Sequence, residues 1–66
     1  MMTNYDSLTD AQRQWVETVA QNAAKRVRDG SKDLAREVAF FAAEMPAWMA
    51  ALAESRAADM LGRKAP

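Results

Sequence analysis

Residues 34–52 read LAREVAFFAAEMPAWMAAL, and within them Leu34, Val38, Phe41, Met45, Trp48 and Leu52 recur at alternating intervals of four and three residues. That interval traces one face of a helix, because each residue advances about 100° around the axis. The face keeps its phase through Pro46. It carries Phe41, Met45 and Trp48 among the large apolar side chains of the chain, so it weighs heavily in any fold the chain adopts.

Two conformations fit Pro46. In one, a single helix from about residue 31 to 62 kinks there, losing a hydrogen bond and crowding the carbonyl of Ala42, at a cost of about 3 kcal/mol that packing along an unbroken face would offset. In the other, the helix breaks near Met45-Pro46 and a third one begins. Proline suits the first position of a helix, but Met45 is a poor cap beside Ser, Thr, Asp or Asn. The continuous phase favours the kink.

Upstream, Leu8, Trp15, Val16, Val19, Ala20, Ala23 and Val27 fall on one helical face, opposite Gln14, Glu17, Gln21, Lys25 and Arg28. Thr9 with Gln12 matches a capping box, and Ser7 is the other candidate cap. Asp10 at the start and Lys25, Arg26 and Arg28 at the end agree with the helix dipole, and Gly30 stands where a left-handed residue closes a helix. A helix over about residues 8–29 is expected, followed within two or three residues by a second helix capped by Ser31 and packed antiparallel on the first. Residues 1–7 are expected to be a flexible segment, 8–62 one helical domain and 63–66 a tail. The expected core is Trp15, Val16, Val19, Ala23, Val27, Leu34, Val38, Phe41, Met45, Trp48, Met49, Leu52 and Met60.

Composition narrows the function. Sixty-six residues make one domain at most, and a chain this short buries only about 60% of the surface it would expose unfolded. It contains no cysteine and no histidine, which closes disulfide scaffolds, thiol catalysis and the usual zinc sites. Nine basic and nine acidic side chains balance to zero, so no global field draws the chain to nucleic acid or an anionic membrane. The start, Met1-Met2-Thr3-Asn4-Tyr5-Asp6, shows neither a secretory signal nor an arginine-rich transit peptide, and a cytoplasmic protein is expected.

The remaining constellations have ordinary explanations. Val38 to Ala53 holds one charge, Glu44, yet falls short of the roughly 20 apolar residues of a membrane span. Phe40 falls among Asp33, Arg36, Glu37 and Glu44 on the wheel, as a second contact surface or a singly exposed aromatic. Lys25, Arg26, Arg28, Lys32 and Arg36 form a basic run, but acids alternate with it at pairing distance, Lys25 with Asp29 and Asp33 with Arg36, as at a solvated helix junction. Asp29, Asp33 and Glu37 recur every four residues, but Gly30 interrupts them and the calcium-loop pattern is missing. No nucleophile and base can be paired, so no catalytic, cofactor-binding or metal-binding residue is assigned.

The expected fold is therefore all-α, a small bundle of two or three helices, a hairpin whose second helix is kinked or broken at Pro46, completed by self-association or a partner. Pairing two such hairpins would close a four-helix bundle. The expected function is non-enzymatic: a protein–protein interaction module, such as an accessory subunit, adaptor or small inhibitor or regulator. Its partner-binding residues are Phe40, Phe41, Met45, Trp48, Met49 and Leu52, since aromatics and methionine are enriched at interfaces. The expected partner is another protein or a second copy in a homo-oligomer. A peripheral membrane-surface helix is the first alternative and a nucleic-acid-binding regulator the second.

Overall fold

The computed structural model describes residues 7–62, and their fold is all-α, a small bundle of three helices: α1 Asp10–Arg28, α2 Leu34–Phe41 and α3 Ala47–Met60. Every pair of helices is in contact, α1 with α3 most extensively. The expected flexible residues 1–7 and tail 63–66 lie, Ser7 apart, outside the described residues. Among the described residues no helix is long and apolar enough to cross a membrane.

The first helix starts as its sequence demands. Thr9 Oγ1 accepts the amide of Gln12 at 3.1 Å while Gln12 Oε1 accepts the amide of Thr9 at 3.0 Å, which satisfies two donors that a helix start leaves open. Its end is closed by Gly30 at φ +127. There the amide of Ser31 reaches the Arg26 carbonyl and that of Gly30 the Val27 carbonyl, both at 3.0 Å, the paired bonds of a Schellman closure. Ser31 does not cap the next helix. That position belongs to Asp33, whose carboxylate accepts the amide of Arg36 at 3.1 Å, and the Ser31 hydroxyl instead donates to Glu37 Oε2 at 2.8 Å.

The favoured kink at Pro46 does not form. The helix stops at Phe41, and the Ala42 carbonyl, which a continuous helix would offer to the missing amide of proline, accepts the Met45 amide at 2.9 Å in a turn. Pro46 itself is the cap residue of α3, with ψ 150 and no side-chain bond, and its carbonyl receives the amides of Met49 and Ala50 at 3.0 Å. The objection to Met45 as a cap therefore falls away: proline takes that place, and its lack of an N–H costs nothing there. The physical reason for the break is that a kinked rod would keep its two halves in line, whereas a break lets α3 fold back and cover α1.

Folding back splits the apparent seam. Leu34, Val38 and Phe41 belong to α2, Trp48 and Leu52 to α3, and Met45 to the turn between them. It also removes the overhanging helix on which the pairing of two hairpins was premised, because α3 now supplies the third side of the bundle.

Alanine makes up half of the core. Ala20, Ala23 and Ala24 of α1, Ala42 after α2, and Ala53 and Ala57 of α3 are buried alongside Leu8, Val16, Val19, Val38, Met45 and Met49. Met49 and Val16 are the largest side chains wholly shielded from solvent. Leu34, Phe41, Leu52 and Met60 pack at its margin, and Val27 is half-buried. Trp15 and Trp48, expected inside, are 41% and 42% exposed. Both lie in helices whose buried positions are held largely by alanine, Val16 and Met49.

Polar contacts lock the helix ends. Arg56 Nε donates to Glu17 Oε2 at 2.6 Å, joining α3 to α1. Arg28 at the end of α1 donates to the Met60 carbonyl at 2.6 Å. This places a cation on the negative end of α3, which has no basic residue in its own last turn.

With so few large side chains inside, Met49 is expected to be indispensable. Met49→Ala should cost about 2–5 kcal/mol, comparable with the whole stability of a domain this small, so thermal and urea melts followed by circular dichroism should show a largely unfolded chain at room temperature. Gly30→Ala meets no steric neighbour but requires a left-handed backbone, and should lower stability by about 1 kcal/mol.

Candidate protein-contact surface

The candidate residues separate into two groups. Met45 and Met49 are core, 8% and 1% exposed, and support the surface from beneath. Phe40 stands 73% exposed on the outer side of α2. Trp48 is exposed in the first turn of α3, and Phe41 and Leu52 are half-buried. Of the candidate residues, Phe40 and Trp48 are thus the exposed ones, with Phe41 and Leu52 partly accessible.

Local structure explains the placement. Val38 is the buried residue of α2, and Phe40 lies two positions on, about 200° around the axis and so on the opposite side. Trp48 immediately precedes Met49, and Trp15 immediately precedes Val16. Each tryptophan therefore sits about 100° from the largest wholly buried side chain of its helix, at the rim of the apolar arc. Periodicity alone places Trp15 in the core, whereas the structure centres the buried arc of α1 on Val16, Val19, Ala20, Ala23 and Ala24.

Phe40 is exposed but not unconstrained. Its ring meets that of Phe41 edge to face, with centroids 5.1 Å apart and planes at 84°, an arrangement favoured by the ring quadrupoles. Phe41 is held against the core, so it orients its exposed neighbour. An aromatic group fixed in this way loses less entropy when a partner covers it.

Several charges near the α1–α2 junction are engaged within the fold. Arg26 Nε lies 3.4 Å from Glu37 Oε1, Glu37 also receives Ser31, and Arg28 is bound to the end of α3. The expected pairings of Lys25 with Asp29 and of Asp33 with Arg36 are replaced: Arg26 with Glu37 is the ion pair at this junction, and Asp33 takes the backbone amide of Arg36. Two members of the basic run are therefore spent on holding helices together. Of the three recurring carboxylates, Asp33 is a cap and Glu37 an ion-pair partner.

A separate open groove of about 360 Å³ is lined by Leu34, Ala51, Glu54, Ser55, Ala58 and Asp59. It offers one hydroxyl and two carboxylates on a floor of small side chains. No residue of the aromatic surface takes part in it.

No protein-family model matches the chain, and comparison with curated proteins and with solved structures likewise finds no match.

The two tryptophans should respond alike to solution probes and differently from the core. In the folded chain both should be quenched by acrylamide, and Trp15→Phe or Trp48→Phe should shift stability by less than about 1 kcal/mol, as for changes outside the packed interior. A blue-shifted, quencher-resistant emission from either would contradict their placement at the rim.

Proposed function

We propose that this protein is a non-enzymatic protein–protein interaction module, an accessory subunit, adaptor or small inhibitor or regulator, that works by presenting Phe40, Phe41, Trp48 and Leu52 to a protein partner or to its own copy. The observation that carries this is the inversion of side-chain size. A chain of 66 residues buries alanines and leaves Phe40, Trp48 and Trp15 at its surface. Large aromatics cost a small protein solubility when exposed, and they dominate binding energy when a partner covers them.

Catalysis finds no support in the chemistry of the side chains. Without histidine or cysteine, acid–base work would fall largely to carboxylates; Asp33, Glu37 and Glu17 are engaged in capping or ion pairs, and Glu54 and Asp59 line the open groove. The cysteine-free composition suits a reducing compartment, and the proposal extends to a cytoplasmic protein.

The test uses the tagged full chain as bait in an extract of the source cells. The wild type should retain a partner in fixed stoichiometry or a second copy of itself, and Trp48→Glu and Phe40→Glu should each lower retention by tenfold or more, as for hot-spot positions. Phe40 packs so little on its own fold that Phe40→Glu keeps the helical spectrum, which guards against a loss caused by unfolding. Retention unchanged in both variants would overturn the proposal.

A further inference from the structure

The connection between α1 and α2 carries a hydroxyl whose surroundings set it apart. Thr18 and Ser55 lie inside α1 and α3, where the helical backbone keeps them from entering an enzyme cleft as an extended segment. Thr9 is spent on capping α1, and Ser7 stands among acids, with Asp6 before it and Asp10 after. Ser31 lies outside the helices and, among the described residues, is the hydroxyl with cations on both sides, Arg26 and Arg28 before it and Lys32 after. Its neighbours Arg28, Asp29, Gly30, Lys32 and Asp33 are exposed.

The same hydroxyl works as a latch. Ser31 Oγ donates to Glu37 Oε2 at 2.8 Å, and Arg26 Nε lies 3.4 Å from Glu37 Oε1. The Ser31 amide in turn donates to the Arg26 carbonyl at 3.0 Å. The Glu37 carboxylate, only 16% exposed, thus ties α2 to the end of α1 through a proton and a cation. That tie matters because α2 is eight residues long with Val38 as its buried residue. A phosphoryl group on Ser31 Oγ removes the donated proton and sets about two negative charges against the carboxylate. Arg26, 62% exposed, then turns from a monoanion to a dianion that accepts its guanidinium more strongly.

We propose that Ser31 is a phosphorylation site, recognised by a protein serine kinase through the exposed Arg28 and Lys32, and that its phosphate displaces Glu37 and loosens α2 from α1. The phosphoryl donor is ATP. The bond from Ser31 Oγ to the γ-phosphorus forms as the γ-phosphorus bond to the bridging oxygen breaks, ADP leaves, and the hydroxyl proton passes to the catalytic base of the kinase. The helix released is the one that carries Phe40 and Phe41, and the switch stands whether or not those rings meet a partner.

Two measurements on the full chain test it. In the first, purified protein is incubated with an extract of the source cells and ATP labelled in its γ-phosphate, and the labelled residue is located by mass spectrometry of its peptides. Ser31 should carry the label, and Ser31→Ala should lose it while keeping the helical spectrum. Lys32→Glu should lower labelling by roughly tenfold, since a repulsive charge replaces an attractive one. In the second, phosphoserine is incorporated at position 31 during synthesis and thermal unfolding is followed by circular dichroism. The phosphate should lower the melting temperature by about 5 °C, the scale of one lost tie in a domain this small. In Glu37→Gln the repelled carboxylate is gone, and the same phosphate should lower it by less than about 2 °C.

Label confined to other residues, or no label at all, overturns the site. A phosphate that leaves the melting temperature unchanged, or lowers it equally in Glu37→Gln, overturns the latch.

Discussion

The close contact between the alanine faces of α1 and α3 governs this molecule. Ala20, Ala23, Ala24, Ala53 and Ala57 are all at or near zero exposure, so small side chains fill much of the interior of both helices beside Val16, Val19 and Met49. Such a contact contributes little apolar area per residue, and each helix pair must be supplemented at its ends. Arg56 with Glu17, Arg28 with the Met60 carbonyl and Arg26 with Glu37 supply that supplement, each joining two helices. The described residues fill an envelope of 34 × 30 × 17 Å, whose shortest dimension leaves little depth for bulky side chains.

Trp15 and Trp48 each stand next to a wholly buried neighbour, Val16 and Met49, and remain partly exposed, while Phe40 lies across α2 from the buried Val38. Phe40 is the most exposed of the three, and its ring is oriented by Phe41.

Much of the backbone was legible in the residues. The capping box at Thr9 and Gln12, the closure at Gly30 and the apolar arc of α1 rest on interactions between residues three to five apart, which local spacing reports directly. The end of α3 before Gly62, at φ +77, is of the same kind. Of the six contact candidates, chosen because aromatics and methionine are enriched at interfaces, Phe40 and Trp48 are exposed, Phe41 and Leu52 half-buried, and Met45 and Met49 core.

What the amino-acid sequence determined by itself was the class of the fold, the start and stop of α1 and the absence of histidine and cysteine chemistry, because these depend on composition and on neighbours along the chain. Only the tertiary structure decided that Pro46 divides two helices and that the tryptophans face outward. A helical phase carried through a proline looks the same whether the halves stay in line or fold back, and what separates those outcomes is the contact of α3 with α1. That contact joins residues such as Glu17 and Arg56, distant in the chain, and no local spacing encodes it.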